Sequence, residues 1–335
     1  MKGILLVQLG TPDSPSPKDV GRYLREFLMD GRVIDIPWMF RFILVNLIIV
    51  PFRSRKSAEA YSLIWTSEGS PLKSLSEKFT EGLRKEIAAP IELAMRYQQP
   101  SIAEKVKALR SQGVTDLFVV PLYPQFAMAS TESSIEAVKE VVSKQAPQMK
   151  LKFLTSFYKE PELIEAVVAP FLRDPHTVDH FLFSFHGIPE RQIKKLDPSK
   201  SHCLIKKDCC DAPSGNNQNC YRHHCFVTAE LIAKRLGLST DKWSISFQSR
   251  LGRTPWLTPF TDIVLEELPA KNLKKIAVFC PSFVTDCLET LEEIRMRGRE
   301  TFLEAGGKEF IAVPCPNADP SWIRGFAQVL KRFIA

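Results

Sequence analysis

The chain has 335 residues, of which 44% are hydrophobic and 25% are charged, a composition typical of soluble globular proteins. Its length favours two domains, and its formal net charge of +7 favours anionic partners such as acidic small molecules, phosphates or an anionic membrane surface. The sequence contains no zinc-finger spacing, no RNP-like aromatic set and no long Lys/Arg run, so nucleic acid is not an expected partner.

The N-terminal residues predict a buried strand rather than an export signal. The apolar run from Ile4 to Leu9 is shorter than the core of a signal peptide, and Gly10 and Pro12 interrupt the pattern directly after it. We therefore expect a cytoplasmic protein. In that reducing compartment, clustered cysteines are more often metal ligands or redox groups than structural disulfides.

A second apolar stretch, residues 36–52, has two interpretations. It carries Arg41 and Asn46 and is short for a membrane-spanning helix, which needs about 20 residues. One interpretation is a helix buried in the core. The other is an exposed apolar lip that lies on a membrane or guards an apolar ligand, and the basic residues within 53–56 would suit an anionic surface.

The pattern of apolar residues predicts parallel sheets. Amphipathic helical segments such as 101–113 and 227–237 separate most of a series of short apolar runs, which are typical of strands buried on both faces. The runs are residues 4–9, 91–97, 117–123, 151–157, 180–185, 244–249, 275–280 and 310–315.

The two halves of the chain repeat the same short motifs. LGTP (9–12) and HGIP (186–189) each end a first strand, and LYPQF (122–126) and FCPSF (279–283) each precede an acidic helix. The repeat predicts an α/β protein with two similar Rossmann-like domains, each with a four-stranded parallel sheet flanked by helices. The expected domains are residues 1–157 with 318–335, including the apolar lip (about 34–56) and a returning C-terminal helix, and residues 158–317.

Ionisable side chains follow two strands of the second half. In open α/β sheets ligands bind beyond the carboxyl ends of the strands, so we expect the site in the cleft between the domains. His186 stands at such an end, before a Gly-Pro turn that would expose its imidazole, whereas most lone histidines are structural. Asp286, Glu289 and Glu293 share one helix face at i, i+3 and i+7 spacing. Favourable interaction with the helix dipole would account for the first of them but not for Glu293.

The loop FQSRLGRTPWLTPF (247–260) combines basic and aromatic residues. Arg250, Arg253 and Trp256 would suit a flat aromatic anion through stacking and carboxylate pairing, and the alternative is a tryptophan tucked under its own loop. No GxGxxG follows a strand, and the P-loop and GxSxG motifs are absent. Nucleotide-dependent and serine-hydrolase chemistry are therefore not predicted.

Several motifs occur along the chain in one order: LVQLGTP, EGSPL (68–72), PLYPQF, FSFHGIP, CYRHHC, FQSRLGRTPWL and DCLETLEEI. Their length and order resemble the ferrochelatase family over roughly residues 3–330. The resemblance implies the two-domain chelatase fold and a lyase that inserts ferrous iron into protoporphyrin IX, the terminal step of haem biosynthesis. Residues 34–56 also resemble the family's apolar lip at the mouth of the porphyrin cleft.

The resemblance implies a role for each candidate residue. His186 matches the family's active-site histidine, which accepts pyrrole protons or contacts the substrate iron, and Glu289 matches the glutamate opposite it. The other matches are the acidic proton and metal path, Asp286 and Glu293, and the porphyrin pocket, Leu9, Tyr123 and Trp256. Arg250 is a basic residue that could hold a porphyrin propionate. The chemistry needs a base for two pyrrole protons and a cleft that bends the macrocycle.

Five of the eight cysteines lie in one polar segment, residues 201–225. Some ferrochelatases carry a [2Fe–2S] cluster, several with three ligands in a carboxyl-terminal extension. This chain has no cysteine after Cys315, so its ligands would be internal. Four thiolates suffice for the cluster, and we expect Cys203, Cys220, Cys225 and one of the adjacent Cys209 and Cys210.

Other interpretations of the cysteines and of the function stay open. The cysteines could form a zinc site with His202, His223 or His224, although their spacing lacks the usual C-x2-C pair, or remain free or redox-labile thiols. The substrate could be coproporphyrin or another tetrapyrrole, and the protein could be a non-catalytic porphyrin or iron carrier. The expected location is the cytoplasm, with peripheral association with the inner face of the cell membrane.

Overall fold

A computed structural model describes residues 1–252 and 254–335, and backbone packing divides them into two units. Unit 1 consists of Met1–Tyr123, Met128–Ser156 and Asn317–Ala335, and unit 2 of Pro124–Ala127 and Phe157–Pro316. The domain division expected from the sequence, residues 1–157 with 318–335 and residues 158–317, stays a prediction.

Eight strands form the two sheets of the described residues. They are β1 (Lys2–Gly10), β2 (Ile91–Tyr97), β3 (Asp116–Pro121), β4 (Lys150–Phe153), β5 (His180–His186), β6 (Trp243–Gln248), β7 (Lys275–Phe279) and β8 (Glu309–Ala312).

Twelve α-helices lie between and after the strands of the described chain. They are α1 (Pro17–Leu28), α2 (Trp38–Ile43), α3 (Val50–Ile64), α4 (Pro71–Glu86), α5 (Ile102–Ser111), α6 (Ser133–Gln145), α7 (Pro161–Arg173), α8 (Glu190–Leu196), α9 (Tyr221–Arg235), α10 (Thr261–Glu267), α11 (Arg299–Glu304) and α12 (Pro320–Ile334). Three segments are π-helical, Leu44–Ile49, Met128–Glu132 and Glu289–Gly298, and two are short 3₁₀ turns, Thr240–Lys242 and Pro269–Lys271.

Both sheets are parallel and have the same strand order. Unit 1 has the order β2-β1-β3-β4 and unit 2 the order β6-β5-β7-β8. The central strands β1 and β5 are buried almost throughout because helices cover both faces. The predicted fold class, two four-stranded parallel sheets flanked by helices, is confirmed.

Apolar side chains close a core in each unit. In unit 1, Leu5, Val119 and Val138 belong to one cluster between β1, β3, α5 and α6. In unit 2, Val278 and Phe302 belong to the cluster that packs β7 against α10 and α11. These layers hold the carboxyl ends of the strands in place, and the candidate residues lie at those ends.

Residues 38–64 form one continuous helical segment that exposes much of its apolar surface. Within this segment, Val45, Ile49 and Val50 are buried. The exposed large apolar side chains are Trp38, Met39, Phe40, Phe42, Ile43, Leu47, Ile48, Phe52 and Leu63. The interpretation as a helix buried in the core is therefore wrong, and the segment is exposed; its contact with a membrane or an apolar ligand stays a prediction. Within the described residues, no helix combines the length and the apolar character that crossing a membrane requires.

Candidate active site and cysteine loop

The backbone around His186 fixes which ring nitrogen carries a proton. His186 is the last residue of β5, and its Nδ1 lies 2.6 Å from the carbonyl oxygen of Gly187. A carbonyl can only accept a hydrogen bond, so Nδ1–H is the donor. The lone pair of the neutral imidazole is then on Nε2, which is the atom available as a base.

A buried tyrosine holds the end of β5. The hydroxyl of Tyr221, at the start of α9, donates to the His186 carbonyl at 2.8 Å and shares a 2.8 Å hydrogen bond with Ser282 Oγ. Ser282 Oγ also accepts the His186 backbone N–H at 3.3 Å. The histidine backbone is therefore held on both sides, with Phe283 in edge contact with its ring.

Glu293 lies on a π-helical segment and binds the end of β6. Its Oε1 accepts the Ser249 backbone N–H at 3.0 Å, and its Oε2 accepts the Ser249 hydroxyl. Burial raises the pKa of Glu293. The Ser249 hydrogen bonds oppose that shift, the charge of Glu289 adds to it, and the positive charge of protonated His186 opposes it. The pKa of Glu293 is raised overall, so its carboxyl takes up a proton at a higher pH than a free glutamate does.

Glu289 begins the same π-helical segment and is half-buried. Its carbonyl accepts a hydrogen bond from Gln248 Nε2 at 3.0 Å, and Gln248 Oε1 accepts the buried Ser184 hydroxyl at 2.8 Å. The helix start is thereby tied to strands β5 and β6. π-Helical segments are rare and occur frequently at functional sites.

Asp286 does not lie on the helix with the two glutamates. It precedes the π-helical segment, so the expected i, i+3, i+7 face is wrong at its first member. Its buried carboxylate accepts the Thr290 hydroxyl at 2.8 Å and faces the Cys315 N–H at 3.5 Å. The Thr290 hydroxyl, in the first turn of the π-helical segment, donates to the Asp286 carboxylate and holds Asp286 in front of the helix rather than on its face.

The loop after β6 places Trp256 against the turn after His186. A Cβ on Gly187 would lie 3.5 Å from the Trp256 ring, an ordinary contact, but only 2.8 Å from the Gln248 carbonyl oxygen, so the close approach of that carbonyl requires glycine. The indole N–H donates to Leu251 O at 3.0 Å. Arg250 stacks 4.1 Å over Phe260 and bonds both carboxylate oxygens of Asp262. Arg253 lies outside the described residues.

Leu9 and Tyr123 lie at equivalent ends of neighbouring strands in unit 1. Each follows the register pair Val7–Pro121 of β1 and β3 by two residues, and both are half-buried. The Tyr123 hydroxyl shares a 3.4 Å hydrogen bond with Ser134, and burial raises its pKa. Unit 1 therefore presents an aliphatic and an aromatic side chain at the carboxyl edge of its sheet.

The five loop cysteines are all buried, although the loop around them is polar. Cys220 precedes α9 and Cys225 lies in its first turns, while the other three lie in the turns before it. Burial raises the pKa of the Cys203 thiol to about 11. Burial of several thiols without disulfides is unusual for a polar loop, and thiolates there need a cation or metal to compensate the charge.

The loop histidines bind backbone carbonyls. His202 Nε2 lies 3.2 Å from Cys209 O, and His223 Nδ1 lies 2.9 Å from Cys210 O. His224 uses both nitrogens, because Nδ1 accepts from Phe126 N and Nε2 donates to Gln218 O. His224 is thus excluded as a zinc ligand in this arrangement. Across the described ranges, no three His, Cys, Asp or Glu side chains are placed to share one metal ion.

Comparisons with known proteins identify the family. The family model described as ferrochelatase matches residues 1–333. The chain is 46% identical to a ferrochelatase of Stutzerimonas stutzeri, over 99% of this chain and 98% of the relative. It is 48% identical to a ferrochelatase of Pseudomonas syringae pv. syringae, over 98% and 97%.

This chain belongs to the ferrochelatase family.

The resemblance inferred from the motifs is thereby confirmed. Among solved structures, SirB from Bacillus subtilis with Fe3+ matches the ferrochelatase chain with a TM-score of 0.57 at 14% identity, over 100% of this chain and 96% of that one. CbiX, described as the terminal enzyme for biosynthesis of sirohaem in denitrifying bacteria, matches with a TM-score of 0.50 at 12% identity, over 99% and 100%. At these identities the likeness shows the fold alone.

Sequence reasoning missed the polar residues that support the candidate site. Tyr221, Ser249 and Ser282 hold His186 and Glu293 through hydrogen bonds. Each lies inside a motif that the sequence singled out for another reason. Tyr221, for example, follows Cys220 in CYRHHC. Periodicity carries no signal for such contacts, because the partners are distant in the chain.

Proposed function

We propose that this ferrochelatase-family chain inserts ferrous iron into protoporphyrin IX, with His186 as the base. Insertion breaks two pyrrole N–H bonds as iron–nitrogen bonds form, so two protons must leave the macrocycle. The observation that carries the proposal is the Nδ1–H···O bond to Gly187, which leaves the basic lone pair on Nε2. A general base must offer its lone pair in a fixed direction, and the pinned backbone of β5 supplies this.

Glu289 and Glu293 complete the proposed machinery. Glu289 would contact the iron or receive a proton beside His186. Glu293 would pass protons onward, since its raised pKa brings proton gain and loss nearer to neutral pH. Asp286 is engaged by Thr290, so its role would be to orient the helix entrance rather than to share a continuous acidic face. Leu9, Tyr123 and Trp256 would supply apolar surface to the porphyrin.

Arg250 fits the propionate role only if it exchanges partners. Its guanidinium already binds Asp262 through two hydrogen bonds of 3.1 and 2.9 Å. A propionate carboxylate would replace that carboxylate in the same bidentate geometry.

The test is anaerobic turnover with ferrous iron, followed by loss of porphyrin fluorescence. We expect turnover by the wild type and none by His186→Ala. His176→Ala is the matched control, because His176 is a solvent-accessible histidine of the same unit that pairs with Asp174 and Glu309. Porphyrin binding without turnover in the wild type would instead support a carrier. Faster turnover of coproporphyrin than of protoporphyrin IX would change the proposed substrate but not the proposed metal insertion with His186 as the base.

We also propose a resident [2Fe–2S] cluster in the cysteine loop. The fit rests on the donor set, since five buried thiols lie in one short segment and a [2Fe–2S] cluster needs four protein ligands, two for each iron. When bound, the cluster would supply a one-electron redox centre and a cross-link of the loop. Cys220→Ala should abolish visible cluster absorption, and an unchanged spectrum would exclude this proposal.

The third proposed property is peripheral membrane association through the lip, about residues 34–56. Its exposed Phe40 and Phe42 would enter the interface, and Arg53 and Arg55 would meet anionic headgroups. This surface would also suit delivery of an apolar porphyrin. Its test is vesicle flotation.

A further inference from the structure

Gln248 lies beside His186 in the sheet and bonds the segments that carry both candidate catalytic residues. It is the last residue of β6, and the parallel ladder pairs it with His186 of β5. Its backbone carbonyl accepts the Gly187 N–H at 2.6 Å, and its side-chain Nε2 donates to the Glu289 carbonyl at 3.0 Å. One residue therefore joins the turn after the histidine to the start of the π-helical segment that carries the glutamate.

Donors and acceptors fix the orientation of the buried Gln248 amide. The Glu289 carbonyl can only accept a hydrogen bond, so the NH2 group of the amide must face it. Oε1 then points the other way, where it accepts the Ser184 hydroxyl at 2.8 Å and the Cys280 thiol at 3.7 Å. A reversed amide would set two acceptors, Oε1 and the Glu289 carbonyl, against each other.

Three buried hydroxyls, those of Ser184, Thr261 and Ser246, form a hydroxyl chain that ends on this amide. Ser184 has one hydroxyl proton and directs it to Gln248, so Thr261 must donate to Ser184 across their 2.8 Å hydrogen bond. By the same count, Ser246 must donate to Thr261 at 2.8 Å. Because every donor in the hydroxyl chain has its acceptor, the network stabilises one orientation of the amide.

Gln248 bonds the main chain of Glu289, so it acts on the position of the glutamate rather than on its charge. Its backbone and side chain together set the start of the π-helical segment relative to the end of β5. A catalytic group that is displaced by about 1 Å can lose about 10²-fold in rate, so this spacing bears directly on turnover.

We propose that Gln248 is a positioning residue for iron insertion, which sets the place of Glu289 relative to His186. The hydroxyl chain keeps its amide in the orientation that this positioning requires. The inference rests on the proposed roles of the histidine and the glutamate in the reaction.

The test is a double-mutant cycle between Gln248 and Glu289 in the full chain. Gln248→Met keeps the length of the side chain and removes the hydrogen bonds of the amide. We expect kcat for iron insertion to fall by about 10- to 100-fold with an unchanged KM for porphyrin, because a misplaced catalytic group slows the reaction rather than weakening porphyrin binding. In a Glu289→Gln background the same change should cause no further loss, since the group that it displaces no longer acts. A loss by the same factor in both backgrounds would overturn the proposal.

The hydroxyl chain is tested with Ser184→Ala, which leaves Gln248 in place. Its control is Ser76→Ala, because Ser76 and Ser184 are both serines with 0% exposure and Ser76 lies on α4 of unit 1. We expect a smaller fall in kcat for Ser184→Ala than for Gln248→Met, and none for Ser76→Ala.

Wild-type kcat in a folded Gln248→Met protein, or equal kcat in the two serine variants, would overturn the proposal. Thermal unfolding checks that Gln248→Met folds, and if it does not, Ser184→Ala against Ser76→Ala decides alone. Absence of turnover in the wild type, or wild-type kcat in Glu289→Gln, would instead refute the proposed function of the site, which separates the two failures.

Discussion

Replacing Tyr221 by phenylalanine removes the hydroxyl that hydrogen-bonds both the His186 carbonyl and the Ser282 hydroxyl. The hydroxyl makes two hydrogen bonds of 2.8 Å, and its residue is 4% exposed. Leaving a buried polar partner unsatisfied costs about 1–3 kcal/mol. Ser282 keeps its bond from the His186 N–H, so we count one orphaned group, the His186 carbonyl, and expect a loss of about 1–3 kcal/mol in the free energy of unfolding.

The same change should reach the chemistry through the position of the histidine. A transition state that loses about 1.4 kcal/mol of stabilisation forms about tenfold more slowly. We therefore expect kcat for iron insertion to fall by up to about tenfold, with the KM for porphyrin nearly unchanged. Stopped-flow porphyrin fluorescence and denaturant unfolding measure the two effects.

Tyr158→Phe is the control, because Tyr158 is a half-buried tyrosine of the same unit whose ring stacks on His224 at 3.8 Å. Wild-type stability and wild-type kcat in Tyr221→Phe would refute the argument that this hydroxyl positions His186. Equal losses in both variants would point to a general effect of removing a tyrosine hydroxyl.

Four further predictions concern the site and the lip. Glu289→Gln should lower kcat by about 10²-fold or more, since the amide cannot take a proton or pair with iron; activity near wild type would exclude Glu289 from the chemistry. Because the folded-state pKa of Glu293 is raised, its contribution to stability is largest below the unfolded pKa of about 4.3 and is lost as pH rises through the folded pKa. In denaturant titrations, the stability of Glu293→Gln relative to wild type should therefore increase with pH across that window. A difference that does not depend on pH would contradict the raised pKa. Gly187→Ala should destabilise the protein by about 1–3 kcal/mol, because the new Cβ would meet the Gln248 carbonyl at 2.8 Å, and unchanged thermal unfolding would contradict the crowding. Phe42→Ser combined with Leu47→Ser should weaken flotation with anionic vesicles while Leu172→Ser, an exposed leucine of α7, does not; equal flotation of all three proteins would count against the lip.

The order of elements could be predicted because it depends on local patterns. The first and fifth strands, their Gly-containing turns and the position of His186 follow from short apolar runs and the repeated LGTP and HGIP motifs. Strand ends were less accurate. The third strand was expected over 117–123 but ends at Pro121, and the last was expected over 310–315 but ends before Pro314. Proline has no N–H for the hydrogen-bond ladder of a sheet, so Pro121 and Pro314 indicate in the sequence that these two strands end earlier than expected.

The sequence by itself determined the family and the types of reactive side chain in its motifs, because long motifs in a single order leave few alternatives. The comparisons confirm the family. The sequence also determined that five thiols share one loop. Only the tertiary structure decided that Asp286 precedes the helix, that Tyr221 holds His186, and that the Arg222 guanidinium lies 3.0 Å from the Cys210 sulfur. The reason is that these facts depend on which groups the folded backbone brings within hydrogen-bond distance and on the direction in which side chains point, and neither is encoded by spacing alone.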